Sequence, residues 1–183
     1  MIYLDLDSTL NNLIFVWVDW LNSKEYRKYT VQDIKHWSGL FSLYEDLIAF
    51  LKEDKYKSVK LFNGAKELID DLKQLDDVCI LTNNYEFTKI DKIKWLCKQN
   101  LNVPVVFTEH NKVSYLDRND VFVDDKLETV LEAEKVCDNV FLYNHNGLYK
   151  YNKGNNKKTV CNFDELLQEV RKVYNKSYQK ALF

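Results

Sequence analysis

Asp5 and Asp7 stand two positions apart at the end of the apolar run that opens the chain, MIYLDLDSTL. At this spacing both side chains can leave one tight loop toward the same substrate. Carboxylates that lie close together repel one another, so they persist only where a cation or a shared proton offsets the repulsion. The pair therefore raises the question of which other residues join it.

Two later segments end in the same way. Thr82 and Asn83 follow the apolar run VCIL, and Asp124 and Asp125 follow VFV. If these runs are parallel strands, their carboxyl ends meet at one edge of the sheet, where ligands bind in such folds. An all-oxygen ligand set without His or Cys suits a hard ion such as Mg²⁺, which prefers to share phosphate oxygens. Lys112 precedes VFV at a distance that would complete a phosphate clamp.

Each of these residues also has an ordinary structural alternative. Asp5 and Asp7 could cap a turn, and Thr82 could cap the helix that follows it. Lys112 could be a solvated surface lysine. Asp125 could cap the next helix.

The chain beyond about residue 61 alternates between strand and helix. Together with IYLDL at the start of the chain, the strand-like runs are VCILT, VPVVFT, VFVDD and NVFLY. Helical segments of about 10–15 residues between strands predict right-handed crossovers. The predicted fold class is therefore α/β, with a Rossmann-like parallel sheet and helices on both faces.

Several details of these elements are predicted as well. A helix over 89–99 has Ile90, Ile93, Leu96 and Cys97 on one apolar stripe. Residues 144–158 are predicted to be a polar loop. Asn162 and Glu165 resemble a capping pair for the last helix, and no sixth strand is predicted.

Residues 11–60 differ from the rest, because their apolar residues recur at helical spacing and include many aromatic rings. This segment predicts a small helical cap inserted after the first strand. The predicted domains are a core of residues 1–10 and 61–183 and a cap of residues 11–60.

Composition excludes several classes of protein. Apolar residues make up 46% of the 183, too many for a disordered chain. A net charge of −2 gives no overall attraction to nucleic acid or a membrane surface. No apolar run approaches the roughly 20 residues of a transmembrane helix. The four dispersed cysteines favour free thiols in a reducing cytosol, and a first strand at Ile2 leaves no room for a signal peptide, so we expect a cytoplasmic protein.

The segments DLDST, ILTN, Lys112 and VFVDD together resemble the four signatures of the haloacid dehalogenase-like (HAD) phosphohydrolase superfamily. Those signatures are a D-x-D-x-T/V loop, a strand-end Thr or Ser, a Lys and an acidic pair, and all four occur here in order. The resemblance implies a HAD-like core that hydrolyses phosphate esters with Mg²⁺ as cofactor.

The same resemblance implies a role for each residue. Asp5 is the expected nucleophile, which forms an aspartyl-phosphate, and Asp7 the expected general acid and base. Lys112 is expected to offset charge on the nucleophile and the transferring group. The expected phosphate ligands are Thr82, the backbone of Asn83 and a lysine on the next helix, for which Lys92 is the best match and Lys89 the alternative. The expected Mg²⁺ ligands are Asp5, the backbone carbonyl of Asp7 and Asp124, with Asp125 binding or orienting that shell.

Longer stretches resemble a narrower group, the 5′(3′)-deoxyribonucleotidases and their phage and bacterial relatives. The stretches include FVWVDWLN, YTVQDIKHW, LFNGAKELIDDLK and FTEHNKVSYLDRNDVFVDDK. Family members often have Gly where this chain has Ser8, and Ser where it has Asn83. This resemblance implies a (deoxy)nucleoside monophosphate substrate. Trp37, Phe15 and Phe41 of the cap are expected to face its base and sugar, since a stacked aromatic ring contributes about 1–3 kcal/mol per base.

Other functions remain open. The substrate could be another small phosphorylated metabolite, which would need no aromatic rings in the cap. A polynucleotide 3′-phosphatase resembles the same core, but it needs a basic groove, which the net charge of −2 disfavours. We therefore expect no polymeric nucleic acid and no membrane as partners. Relatives often dimerise, so a homodimer stays an open alternative.

Overall fold

A computed structural model describes residues 1–24, 28–34, 41–53, 55–109, 111–149 and 158–181, with only the backbone for 41–44, 55 and 177–181. The strands are β1 (Ile2–Leu4), β2 (Val78–Asn83), β3 (Val105–Thr108), β4 (Val121–Asp124), β5 (Asn139–Tyr143) and β6 (Thr159–Val160). The helices are α1 (Leu13–Lys24), α2 (Phe41–Lys52), α3 (Ala65–Leu72), α4 (Lys89–Gln99), α5 (Leu127–Ala133) and α6 (Phe163–Ala181). Within the described ranges no helix is long and apolar enough to cross a bilayer.

The strands form one sheet in the order β3-β2-β1-β4-β5-β6, and every pair is parallel. β1 lies at the centre, where Leu4 pairs with Ile80 of β2 on one side and Val123 of β4 on the other. The residues that follow these three strands therefore leave the sheet at the same edge. The predicted α/β class with a Rossmann-like parallel sheet is confirmed. A sixth strand, β6, was not predicted, because two residues are too few to show a periodicity.

The buried face of α4 differs from the predicted stripe. Ile90 and Ile93 are 65% and 42% exposed, whereas the buried residues of α4 are Lys92, Trp95 and Leu96. The indole Nε1 of Trp95 donates a hydrogen bond to the carbonyl of Val59 at 2.7 Å. The buried face of α4 thus includes residues that make polar contacts, Lys92 and Trp95, and a stripe of apolar residues in the sequence does not reveal such contacts.

The described residues of the insert, 11–60, include α1, α2 and the short 3₁₀ turns Val31–Asp33 and Lys55–Ser58. The chain enters and leaves it through a narrow neck, where Asn11 forms an antiparallel bridge with Leu61. Its buried apolar residues belong to the same hydrophobic cluster as Ile2 and Leu4 of β1. The division into core and cap domains stays a prediction.

The predicted capping pair of the last helix is present. Oδ1 of Asn162 accepts a hydrogen bond from the Glu165 amide at 2.8 Å, and Oε2 of Glu165 accepts one from the Cys161 amide at 2.7 Å. The first bond satisfies an amide in the first turn of α6 that has no helical partner, and the second fixes the chain that enters the helix.

The inward face of α4 can be tested with two truncations on the same helix. Leu96→Ala, at a site 8% exposed, should lower the free energy of unfolding by about 2–5 kcal/mol, because it leaves a cavity in the core. Ile90→Ala should change it by no more than about 0.5 kcal/mol, since that side chain faces solvent. Urea unfolding of both variants measures the difference, and equal losses would contradict the observed orientation.

Candidate active site

The predicted site residues come together at the carboxyl edge of the sheet. A cleft of about 230 Å³ opens there, beyond the ends of β1, β2 and β4. Every residue predicted for catalysis, phosphate binding or metal binding lines it: Asp5, Asp7, Thr82, Asn83, Lys92, Lys112, Asp124 and Asp125. The parallel register of the three strands explains the convergence, because it brings segments far apart in sequence to one edge.

Lys112 lies buried between two carboxylates. A 3₁₀ turn, Lys112–Tyr115, carries it, and Oδ1 of Asn111 caps that turn through the Val113 amide at 2.9 Å. Its ammonium, 5% exposed, contacts the carboxylate of Asp5 and that of Asp124, the latter at 2.7 Å. Burial alone would lower the pKa of Lys112, but the two carboxylates raise it. The alternative of a solvated surface lysine is therefore wrong.

Asp5, Asp124 and Asp125 form a buried cluster in which one oxygen of each lies within 4.8 Å of the others. Burial raises the pKa of Asp5 to about 6; Asp124 and Asp7 act in the same direction, and Lys112 opposes them. The three carboxylates have the oxygen chemistry that Mg²⁺ requires, and together they carry more negative charge than the Lys112 ammonium offsets. The residues present therefore fit a divalent cation.

The loop after β1 is tightly folded. Ser8 adopts a φ of 64°, in the left-handed region where glycine is favoured. The hydroxyl of Tyr149 donates to the Ser8 carbonyl at 2.8 Å, and the Ser8 amide donates to Oδ1 of Asn11 at 3.1 Å. Oγ1 of Thr9 donates to Oδ2 of Asp5 at 3.3 Å. These bonds hold the loop so that both aspartates face the cleft.

Asp7 has a different environment from Asp5. Its Oδ2 lies 2.6 Å from Nζ of Lys92, and its Oδ1 accepts hydrogen bonds from the Tyr56 hydroxyl at 2.6 Å and from Nδ2 of Asn11 at 3.0 Å. Burial would raise the pKa of Asp7, but Lys92 and the hydrogen bonds lower it below its ordinary value. The two aspartates thus differ in proton affinity although they are two residues apart.

Of the two lysines considered as phosphate ligands, Lys92 lies in the cleft. Its Nζ donates to Oγ1 of Thr82 at 3.3 Å and to the Asn83 carbonyl at 2.5 Å, besides contacting Asp7. Lys89 is exposed and does not line the cleft. Thr82 and Lys92 are therefore adjacent in the cleft. The helix-cap alternative for Thr82 is wrong, because Thr82 lies within β2 and Thr88 is the residue before α4.

Of the three aromatic residues predicted to face the substrate, Phe15 does not line the cleft. Phe15 packs instead against Phe62, His145 and Tyr149, with ring centroids 6.0, 5.9 and 6.4 Å away, so its prediction is corrected. Trp37 and the side chain of Phe41 lie outside the described residues.

Sequence reasoning missed several residues of the site. Asn11 follows the D-x-D loop closely and could have been noticed as a polar residue beside it. Tyr56 lies 49 residues from Asp7 and carries no local signal. Tyr85, which lines the cleft, and Tyr149 stand outside the four HAD signatures and were assigned no role.

Mg²⁺ should raise the melting temperature of the protein, because an ion that binds only the folded state stabilises it by about 2.7 kcal/mol at 100 times its dissociation constant. The affinity should fall as the pH drops below about 6, where Asp5 takes up a proton. Asp124→Asn removes one ligand and should abolish most of the shift. Differential scanning calorimetry with and without Mg²⁺ measures both, and an equal shift in the variant would contradict the assignment.

No protein-family model matches the chain, and no curated protein matches it. Solved structures do. A HAD-family hydrolase from Deinococcus radiodurans with bound phosphate and sodium is 10% identical, with a TM-score of 0.64 over 94% of this chain and 95% of that one. A haloacid dehalogenase-like hydrolase from Streptococcus pneumoniae is 12% identical, with a TM-score of 0.60 over 92% and 97%. A magnesium-bound HAD hydrolase from Bacillus subtilis is 15% identical, with a TM-score of 0.59 over 91% and 96%. The chain therefore has the fold of haloacid dehalogenase-like hydrolases.

Proposed function

We propose that this protein is a Mg²⁺-dependent phosphomonoesterase that works through an aspartyl-phosphate. One observation carries the proposal: the buried carboxylate of Asp5, paired with Lys112, lies in one cleft with Asp7 and the adjacent Thr82 and Lys92. A nucleophile, an acid–base group and donors for a phosphoryl group are thus within reach of a single small substrate.

The proposed reaction has two steps. An oxygen of Asp5 attacks phosphorus, the bond to the leaving oxygen breaks, and Asp7 gives that oxygen a proton. Water then attacks the aspartyl-phosphate while Asp7 takes up a proton, which frees Asp5 and inorganic phosphate. Asp5, the Asp7 carbonyl and Asp124, oriented by Asp125, would hold Mg²⁺, which supplies a positive charge beside the phosphoryl oxygens.

Lys112, Thr82 and Lys92 supply the remaining stabilisation. The Lys112 ammonium is fixed beside Asp5 before the substrate arrives, so it needs little reorganisation as charge moves onto the phosphoryl group. Thr82 and Lys92 can donate hydrogen bonds to phosphoryl oxygens from the other side of the cleft. The phosphate bound to the Deinococcus protein and the magnesium bound to the Bacillus protein agree with this chemistry.

We further propose a (deoxy)nucleoside monophosphate as substrate. The resemblance to deoxyribonucleotidases supports this, and so does the apolar wall of the cleft, formed by Leu13, Leu47, Leu51 and Tyr85. A leaving group with a flat apolar part could lie against this wall, whereas a sugar phosphate would leave it unfilled. Trp37 and Phe41 remain candidates for contact with the base. The ring of Tyr85, exposed at the rim, is a candidate that sequence analysis missed.

Phosphate release from a panel of ribo- and deoxynucleoside monophosphates, sugar phosphates and p-nitrophenyl phosphate tests the proposed activity and its substrate. Turnover should require Mg²⁺ and cease in excess EDTA. Asp5→Asn should abolish turnover at an unchanged fold, because the amide cannot form the aspartyl-phosphate. Full turnover in excess EDTA or in the Asp5→Asn variant would rule out the mechanism. A preference for sugar phosphates would contradict the proposed nucleotide substrate.

The proposed contact of Tyr85 with the substrate can be tested by Tyr85→Ala, with Phe87→Ala as the control. The rings of Tyr85 and Phe87 stack with centroids 5.5 Å apart, but only Tyr85 lines the cleft. Loss of a stacked ring removes about 1–3 kcal/mol, so Tyr85→Ala should lower kcat/KM for nucleotides roughly 5- to 150-fold and leave base-free substrates nearly unaffected. Phe87→Ala should change neither, and similar losses in both variants would argue against stacking on Tyr85.

A further inference from the structure

The two ends of the insert meet at the carboxylate of Asp7. Asn11 is its first residue, and Tyr56 lies in the 3₁₀ turn just before the chain returns to the core. Oδ1 of Asp7 accepts a bond from each, from the Tyr56 hydroxyl at 2.6 Å and from Nδ2 of Asn11 at 3.0 Å. Nδ2 of Asn11 also lies 3.2 Å from the Tyr56 hydroxyl oxygen, so the three groups form a closed triangle.

This triangle is buried and its members have little freedom to move. Tyr56 is 1% exposed, and its ring lies edge-on to that of Trp95 with centroids 5.6 Å apart. Asn11 is fully buried, and its Oδ1 accepts bonds from the Ser8 and Leu13 amides at 3.1 and 3.0 Å. The amide group is therefore oriented by two backbone donors, which leaves Nδ2 facing Asp7.

The two oxygens of Asp7 consequently have different surroundings. Oδ1 faces the neutral donors of Tyr56 and Asn11. Oδ2 faces the ammonium of Lys92 at 2.6 Å, on the side where Lys92 also contacts Thr82 and a phosphoryl group would bind. If the carboxylate could rotate freely, Oδ1 and Oδ2 would interchange positions. The Tyr56 hydroxyl and Nδ2 of Asn11 hold Oδ1, so Oδ2 stays toward the cleft.

We propose that Tyr56, supported by Asn11, is a positioning residue that fixes Oδ1 of Asp7 so that Oδ2 is the atom that exchanges the proton. The inference rests on the proposed phosphatase function. In the first step, with the Lys92 ammonium turned to the phosphoryl group, the proton on Oδ2 moves to the leaving oxygen as the bond from Asp5 to phosphorus forms and the bond from phosphorus to that oxygen breaks. In the second step a proton of the attacking water moves to Oδ2 as that bond breaks.

Tyr56→Phe removes one hydroxyl and keeps the ring between Trp95 and Lys92. A misplacement of about 1 Å costs up to roughly 100-fold in rate, so kcat for a nucleotide should fall about 10- to 100-fold with little change in KM. p-Nitrophenol leaves with little help from an acid, so its release in the first step should be affected much less. Hydrolysis of the aspartyl-phosphate should still be slow, and the variant should therefore give a burst of nitrophenol in stopped flow.

A double-mutant cycle separates positioning from a structural role. If Tyr56 acts through Asp7, the pair Tyr56→Phe/Asp7→Asn should be no slower than Asp7→Asn alone. Tyr174→Phe is the matched control, because its hydroxyl donates to the carboxylate of Asp76 at 2.8 Å, far from the cleft, and it should change none of these rates. Equal losses on both substrates without a burst, additive losses in the cycle, or unchanged kinetics would each overturn the proposal.

Crystal structures distinguish failure of this inference from failure of the proposed function. A parent protein that hydrolyses no phosphate ester would refute the function. The positioning itself would show in the Tyr56→Phe crystal as a rotated or doubly occupied Asp7 carboxylate, with the contact of Asp5 to Lys112 unchanged. An Asp7 carboxylate in the parent orientation would overturn the positioning role whatever the activity.

Discussion

The ammonium of Lys112 allows the two central strands of the sheet to end in neighbouring carboxylates. Asp5 follows β1 and Asp124 ends β4, and the parallel register places them side by side in the interior, where two like charges without a counter-ion are strongly unfavourable. A single buried cation that contacts both reduces that cost. The chain between β3 and β4 must therefore return to the cleft to deliver Lys112, and the position of this turn follows from the charge it has to compensate.

A second cation divides the site into two electrostatic halves. Lys112 is paired with Asp5 and Asp124, whereas Lys92 joins Asp7 to Thr82. Burial dominates at Asp5 and raises its pKa to about 6, while the donors around Asp7 lower its pKa. Two carboxylates of one short loop thus differ in proton affinity, but in the order opposite to the proposed roles, in which Asp7 carries the proton and Asp5 does not. Those roles therefore require a cation at Asp5 and a phosphoryl group that competes with Asp7 for the Lys92 ammonium.

The sequence predicts the carboxyl edge of the sheet well, because strand-end residues of a parallel sheet converge whatever the details of packing. Asp5, Thr82 and Asp124 could therefore be assigned from local motifs. Tyr56 could not, since its contact with Asp7 depends on how the insert folds back over 49 residues. The prediction of the buried face of α4 was wrong for a related reason. Lys92 and Trp95 are buried there and make polar contacts, whereas hydrophobic periodicity assumes that buried residues are apolar. Phe15 was misplaced because an aromatic residue in a cap can equally fill a core.

The neck of the insert affects how easily one insert could be replaced by another of different length. Asn11 and Leu61 pair directly, with hydrogen bonds from the Asn12 amide to Lys60 and from the Phe62 amide to Leu10 at 3.0 and 2.9 Å, so the core holds both ends of the insert together. The entropy of closing a loop grows slowly, by about 0.6 kcal/mol for each doubling of its length. Inserts of very different size could therefore be exchanged at this neck with little cost in closure. If Tyr56 positions Asp7 as proposed, a transplanted insert would also need a hydrogen-bond donor where Tyr56 stands, so one side chain near the end of the insert limits such an exchange more than its length does.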